Sequence, residues 1–527
     1  MTKTLTTKDI GERVRATNPQ LFAALSYHRT HRGKKLDFES FPSLKAIYAD
    51  DRPKGCSLKS TQGGISEFLL CKGVAHAGSS RNVFWVLPTY TLVARFVRER
   101  FDRTMAATEQ YRQMVSQVDA GRFADSTTMK QFGNGTIAFV GSNTASAFTE
   151  FPADTLIVDE LDQCDAGNVV MAWERLSASE SPSEWYISNP TITGYGIDIK
   201  YAESTQGRWH IKCPSCGKWQ HPTFIGNVVK QIDDHDYLIL DQSYEMETGA
   251  EPAVVCTKCG GVLDRYSDGV WVEKYPKREM AGYHYNKLFT ARVSVSALLE
   301  RFVRSEGDET LRQRVWNADF GLAYNAPGAR ITREGILEAR GQYRAGEVVP
   351  GAVVMGVDVG SYFHCVVGIV RPEPHPLRVV DTFSVRDPEQ VRDKMREWKP
   401  RAFVIDALPE TRVSRNLAGS TRNGYVCYFG NGKADILSKG SLTVNRTSVL
   451  DSVKAAIVQK TIEFPQGIEN VDDFVDHMTA STRVFVEGAN GGEGAYVWQE
   501  GSKPDHYLLA TTYMVLAARM LIMATTR

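Results

Sequence analysis

Two Cys-x-x-C pairs are the clearest chemistry in this sequence. Cys213-Pro-Ser-Cys216 and Cys256-Thr-Lys-Cys259 are each followed by a glycine, Gly217 and Gly260, and lie 39 residues apart. Each pair can present two thiolates to one Zn²⁺ at about 2.3 Å, and four thiolates close a tetrahedral site with no open position for catalysis. The expected role is structural, a zinc ribbon holding a small subdomain that could touch DNA or a partner. With four thiolates present, His210, His221 and Cys164 are expected to be bystanders. A redox role for either pair lacks the usual fold context.

A second group of residues could handle phosphate. Lys59-Ser60-Thr61-Gln62-Gly63-Gly64-Ile65-Ser66 lies between a turn and a helical pattern, where a phosphate-cradling loop would lie. In a standard P-loop, glycines let backbone N–H groups approach the phosphates, a lysine holds the β/γ oxygens, and a hydroxyl serves Mg²⁺. Gly64 and Ser66 fit that pattern, while Ile65 occupies the lysine position and Lys59 stands at the other end of the loop. An ammonium on a flexible stem can still swing over the same phosphates. Taken alone, the degraded match reads first as a structural turn. The apolar run Leu156 to Val158 then enters Asp159-Glu160, 93 positions beyond Ser66. That is the form of a Walker B strand, whose aspartate supports Mg²⁺ through water and whose glutamate polarises the attacking water. Loop and strand together favour ATP hydrolysis, with Lys59, Ser60, Thr61, Gln62, Gly63, Gly64, Ser66 and Asp159 holding nucleotide and metal, and Glu160 catalytic.

At these residues the chain resembles the large terminase subunit of tailed phages, in particular the lambda-like branch, which is similar in moving its P-loop lysine to the start of the loop. The resemblance continues through residues 141–165, where a Gly-Ser loop precedes the Asp-Glu strand, and through Ser188-Asn189-Pro190-Thr191, which matches the family's coupling motif. It runs from about residue 40 to the C-terminus. It implies an arginine finger, for which Arg95 or Arg98 could serve. It further implies double-stranded DNA, a small terminase subunit and the portal protein of the procapsid as partners, a ring of copies during packaging, and work in the host cytoplasm rather than in the mature virion.

The second half offers acids at strand ends. Gly356-Val357-Asp358-Val359-Gly360, followed by the apolar run Cys365 to Val370, reads as a hairpin with an acid near the end of its first strand, and Asp406 ends a second apolar run, Ala402 to Ile405. This is the arrangement of RNase H-like nucleases, in which carboxylates collect two divalent ions for phosphodiester cleavage. Hard Mg²⁺ or Mn²⁺ calls for carboxylate oxygens rather than thiolates or imidazoles, and for a third acid. Asp505, just before the apolar stretch 507–524, is one candidate, and terminase nucleases are similar in carrying their last acid there. Asp472, Asp473 and Asp476 are the alternatives.

These side chains need rigid elements to hold them. Apolar runs at 82–88, 136–140, 155–158 and 185–190 alternate with helical stretches such as Tyr90 to about Gln117, as in a parallel α/β sheet with ligands beyond the carboxyl ends of its strands. The expected fold class is α/β: a P-loop ATPase sheet with a zinc-ribbon insertion, followed by an RNase H-like nuclease domain. The expected division is an N-terminal helical and basic segment (1–55), the ATPase core (56–207), the zinc-ribbon insertion (208–275), a helical region with a Gly- and Pro-bounded linker (276–349), and the nuclease (350–527).

Composition agrees with a multidomain enzyme. The chain has 527 residues, 42% hydrophobic and 24% charged, which excludes disordered and fibrous classes. Its 62 basic residues balance 62 acidic ones, so any polyanion site must be local, as in the basic clusters at 28–35 and 95–103. The start lacks the apolar core of a secretory signal. The stretch 507–524 contains Thr511, Thr512 and Arg519, and reads as a buried helix rather than a membrane span. Two other readings remain: a helicase–nuclease of repair or defence, and a zinc-containing DNA-binding or assembly protein with a decayed P-loop.

Overall fold

The apolar runs of the first half become strands buried on both faces, which is why they read as continuous rather than alternating. Along Lys54–Lys59, Cys56 and Leu58 enter one core with Phe84, Val86, Leu156 and Val158; on the opposite face Trp85, Ile157, Trp185 and Ile187 meet the helix Ile65–Gly78. That helix is buried almost throughout, covered in turn by the short helices Pro19–Ser26 and Pro42–Ala49.

The computed structural model describes residues 17–116, 126–149, 151–232, 236–245, 251–326, 328–372, 376–430, 432, 435–471, 473–486, 494–501 and 503–525. It divides into two units, Met1–Tyr324 and Asn325–Arg527.

In the first unit the main sheet runs, in spatial order, Gly269–Glu273, Gly207–Lys212, Ala281–Tyr285, Lys54–Lys59, Ser183–Ser188, Thr155–Asp159, Val83–Leu87, Gly135–Gly141 and Met129–Phe132, with Trp219–Gln220 added beside Gly207–Lys212. From Gly207–Lys212 to Gly135–Gly141 the neighbours are parallel, and the pairings at both ends are antiparallel. Ser183–Ser188 therefore lies between the strand ending at Lys59 and the strand ending at Asp159, with Leu58 opposite Ser188 and Asp159 opposite Ile187. The carboxyl ends of all three open at one edge. Strands 207–212 and 269–273, which bracket the cysteine pairs, belong to this sheet, so the cysteine-bearing loops grow from its margin.

The second unit is built on the sheet Arg340–Arg344, Ile462–Gln466, Leu377–Val385, Phe363–Val370, Ala352–Val359, Ala402–Asp406, Gly424–Gly430, Ser441–Asn445 and Ile436–Ser438. Ala352–Val359 and Phe363–Val370 form the expected hairpin, and Ala402–Asp406 runs parallel to the first of them. Residues 333–344, whose glycines and nearby prolines read as a linker, form a helix (Arg333–Glu338) and the edge strand Arg340–Arg344 instead. Ile331, Ile336, Ala339 and Tyr343 supply the buried apolar surface that orders them. The helix His506–Thr525 packs on the sheet. It is long and apolar enough to cross a membrane by composition, yet it is mostly buried against strands 352–359 and 402–406. A Cβ at Gly356 would lie 2.0 Å from Met514 N and 2.3 Å from Ala510 O, so only glycine lets the helix approach this closely.

Candidate active sites

The loop after Lys59 turns sharply because Gln62 and Gly64 both adopt positive φ, +61° and +86°. It is fixed from below: Ser60 N–H donates to Tyr285 O (2.7 Å), and Thr61 donates through its N–H (2.9 Å) and hydroxyl (3.1 Å) to Ala318 O. A Cβ on Gly63 would meet the Tyr285 ring at 2.7 Å. Lys59 is 5% exposed, and its Nζ reaches across strand 183–188 to Glu160 Oε1 at 2.8 Å. Burial works against the ammonium, but Glu160 and Asp159 outweigh it and hold Lys59 above its ordinary range. For Asp159, burial and then Glu160 push the carboxyl up to about 6 against the pull of Lys59, Arg100 and the Ser66 hydroxyl. Asp159 Oδ1, Glu160 Oε2 and Ser60 Oγ are buried without a hydrogen-bond partner among the described residues. A hydrated cation would satisfy the two carboxylate oxygens, and a phosphate oxygen could accept from the Ser60 hydroxyl.

Lys59, Ser66, Asp159 and Glu160 are thus brought together. The 188–191 segment joins them: Asn189 Nδ2 donates to Lys59 O (3.0 Å), and Ser188 Oγ accepts from Asp162 N (3.2 Å). Arg95 and Arg98 are exposed, whereas Arg100, on the π-helical turn Val97–Phe101, acts on both Lys59 and Asp159 and approaches Glu67 Oε2 at 3.4 Å. Sequence reasoning gave Arg100 no role beyond its basic cluster, because nothing in a row of basic residues says which one a π-turn carries inward.

At the second sheet, Val357 lies opposite Ile405, so Asp358, one residue before the end of its strand, and Asp406, which closes the neighbouring strand, come at the same level. Burial raises the Asp358 carboxyl; a hydrogen bond from His506 Nδ1 (2.8 Å) opposes this and Asp505 adds to it. Burial pushes Asp406 up to about 6, opposed by the Leu408 N–H and reinforced by Asp358. Each acid resists the charge of its neighbour, which is the condition a shared cation relieves. Asp505 is 3% exposed, and its Oδ2 accepts from Arg446 Nη2 (2.9 Å) and Ser481 Oγ (2.7 Å). Asp476 is exposed and pairs with Lys503 Nζ at 2.7 Å; Asp473 sits at the preceding turn with φ +59°; Asp472 lies outside the described residues.

Imidazoles also line this site, contrary to the expectation of carboxylates alone. Ligand atoms of Asp358, His364 and His506 all lie within 4.8 Å of one another, and His364 stacks on His506 at 4.6 Å with His477 edge-on to both. Burial, followed by His506 and His477, lowers His364 to about 4, so it is neutral near pH 7. The hairpin register that sets His364 opposite Asp358, and the adjacency of His506 to Asp505, were the signals available in the sequence.

The four knuckle thiols converge, with Cys213 Sγ 3.8 Å from Cys259 Sγ and Cys216 Sγ 3.7 Å from Cys256 Sγ. A tetrahedron of sulfurs around Zn²⁺ at about 2.3 Å has edges of about 3.8 Å, and a disulfide would need about 2.05 Å. Both loops are built alike. Cys213 N donates to Lys218 O and Gly217 N to Cys213 O, while Cys256 N donates to Gly261 O and Gly260 N to Cys256 O. Gly217 and Gly260 adopt φ of +72° and +71°. His221 is engaged elsewhere, with Trp209 O and His284; His210 bonds Arg208 O; Cys164 lies against the backbone of Asp159 and Glu160.

Two family models match the chain: "Phage terminase large subunit gpA, ATPase domain" over residues 54–271, and "Terminase large subunit gpA, endonuclease domain" over residues 280–369. Together they cover more than half of it. No curated protein matches. Among solved structures, the large terminase of bacteriophage HK97 is similar over 96% of this chain and 99% of its own, with 10% identity and a TM-score of 0.53, a likeness of fold. The large terminase ATPase domain of Thermus phage P74-26 (14% identity, 54% of this chain and 96% of that one, TM-score 0.31) and the P22 large terminase nuclease domain (11%, 37% and 93%, 0.24) overlap too loosely to define a shared arrangement.

Proposed function

Since the chain belongs to the family of phage terminase large subunits and carries that family's ATPase and endonuclease domains, we propose that it packages viral double-stranded DNA into a procapsid by ATP hydrolysis and cuts concatemeric DNA with a divalent metal. The observation that carries the ATPase half is the Lys59–Glu160 ion pair at 2.8 Å beside the buried, unpartnered Asp159 Oδ1. The displaced lysine at the start of the loop thereby stands in for the missing lysine at Ile65. Without nucleotide, Lys59 neutralises Glu160. If the ammonium turned to the β/γ phosphates, Glu160 would be freed to orient water, and Gly63 and Gly64 would let the loop backbone approach the phosphate oxygens. Ser66 and Asp159 would hold Mg²⁺, which supplies charge neutralisation at the phosphates. The Ser188–Thr191 segment passes the nucleotide state on through Asn189.

Asp358, Asp406 and Asp505 would hold Mg²⁺ or Mn²⁺ in the second unit, where the metals supply an activated water and stabilise the leaving oxygen. His506 steadies the Asp358 carboxylate through its Nδ1. Arg446 and Ser481 fix one oxygen of Asp505. Cys213, Cys216, Cys256 and Cys259 would hold Zn²⁺ as a structural clamp, on the strength of the 3.7–3.8 Å sulfur spacing. Duplex DNA is engaged through its phosphates with little base readout. A small terminase subunit, the portal and neighbouring copies in a ring are the expected partners, in the host cytoplasm. The test is ATP turnover with and without linear duplex DNA, alongside Mn²⁺-dependent nicking of plasmid. DNA-stimulated hydrolysis and nicking in one preparation support the proposal, and the absence of either overturns that half.

A further inference from the structure

Asp162 lies two residues beyond Glu160 in the short turn Leu161–Gln163 and is 5% exposed. Among the described residues no cation pairs with it. It is held instead by neutral donors. Oδ2 accepts from both the N–H and the hydroxyl of Thr191, each at 2.8 Å, and Oδ1 accepts from the N–H of Ile197 at 2.7 Å. Its own N–H donates to Ser188 Oγ at 3.2 Å. The neighbouring chain is shaped to admit this carboxyl: Gly196 has φ +51°, and a Cβ there would lie 2.3 Å from Oδ1. Burial pushes the Asp162 carboxyl up to about 7, with the Ile197 and Thr191 donors pulling it back. An unpaired buried carboxylate costs free energy, and an apolar residue or a serine would close a simple turn at less cost.

Thr191 continues the connection. Its carbonyl accepts from Asn317 Nδ2 (2.9 Å) and from Tyr324 N–H (3.0 Å). Asn317 neighbours Ala318, whose carbonyl anchors Thr61 of the phosphate loop, and Tyr324 is the last residue of the first unit. One carboxyl therefore joins the Asp159-Glu160 turn to residues 188–197 and, through Thr191, to the segment 317–324.

We propose that Asp162 is the positioning residue that locks the Glu160 turn to Thr191, so that DNA engagement and ATP turnover control each other. The proposal rests on the ATPase reading above. When Lys59 leaves Glu160, the turn is free to shift, and Asp162 shifts with it. Three hydrogen bonds oblige Thr191 and Ile197 to follow, and Thr191 carries Asn317 and Tyr324. In reverse, any displacement of residues 188–197 on DNA engagement would reach the Glu160 turn by the same bonds.

The test compares Asp162→Asn, Thr191→Val and Thr191→Ser in the full chain, reading ATP turnover with and without linear duplex DNA, the KM for ATP, and Mn²⁺-dependent cutting as a check that the chain is folded. Asp162→Asn and Thr191→Val should reduce the ratio of DNA-stimulated to basal turnover at least about fivefold, the lower end of couplings between sites. Their KM for ATP should stay within about twofold, since ground-state binding is untouched. Thr191→Ser, which keeps the hydroxyl, should restore the ratio. Should Asp162→Asn fail to fold, the Thr191 pair decides alone. Full DNA stimulation in Thr191→Val would overturn the proposal, as would KM and turnover falling together in Thr191→Val and Thr191→Ser alike. A wild type with no DNA-stimulated turnover would overturn the ATPase reading itself, and this proposal with it.

Discussion

Replacing Asp406 by asparagine should stabilise the second unit while abolishing cutting. Burial and Asp358 together hold the Asp406 carboxyl at about 6 rather than its ordinary 3.8. A carboxyl raised in the folded state destabilises the fold wherever it is ionised. The penalty is fully present above pH 6 and disappears as the pH falls through 6 toward 3.8. About two pH units at 1.36 kcal/mol each give about 3 kcal/mol, and partial solvent access to this carboxyl reduces that to about 2 kcal/mol. For a unit of about 200 residues, each kcal/mol moves the melting temperature by about 2–4 °C, so Asp406→Asn should raise it by about 4–8 °C at pH 7.5. The carboxamide oxygen can still accept from Leu408 N–H, so no backbone bond is lost. Scanning calorimetry in metal-depleted buffer at pH 7.5 and 4.5, followed by Mn²⁺ addition, reads all of this. The gain should shrink at pH 4.5, and Mn²⁺ should stabilise the wild type but not the variant. A variant less stable at pH 7.5, an equal shift at both pH values, or equal stabilisation by Mn²⁺ would refute the reasoning.

At the nucleotide site, Lys59→Met should lower ATP turnover at least about 100-fold, because it removes the charge nearest the Asp159 and Glu160 pocket, and leave Mn²⁺-dependent cutting intact. Elemental analysis should find one zinc per chain; Cys216→Ser should lose it and lower the melting transition of the first unit alone. Asp505→Asn should reduce cutting at least about 100-fold, whereas Asp476→Asn, at an exposed acid paired with Lys503, should stay within about twofold of wild type in a nicking assay.

Much of this architecture was legible because strands buried on two faces leave continuous apolar runs, and the polar residues Asp159, Ser188 and Asp406 that end three of those runs also close their strands. The knuckle glycines Gly217 and Gly260 were equally plain, since positive φ and local spacing are encoded within a few residues. What escaped depends on tertiary placement. Arg100 rather than Arg95 or Arg98 acts on Asp159, although Arg98 shares its π-turn, and no periodicity announces which of them does so. The partners of Asp162 lie up to 35 positions away in sequence. His364 joins His506 only because a hairpin and a C-terminal helix meet at Asp358. Residues 331–344 defeated a composition argument because four apolar side chains, Ile331, Ile336, Ala339 and Tyr343, outweighed the glycines and prolines around them. At the cysteine loops the sequence pattern implied an insertion, yet the strands 207–212 and 269–273 that carry them belong to the main sheet.

The claim that two separate phosphate-handling centres share this chain is tested most directly by crystals grown with a non-hydrolysable ATP analogue and Mn²⁺, with anomalous scattering used to locate manganese. Peaks should appear beside Asp159 and Ser66, with the Lys59 ammonium turned from Glu160 to the phosphates, and separately among Asp358, Asp406 and Asp505. Manganese absent from either place, or nucleotide bound with Lys59 still paired to Glu160, would contradict it.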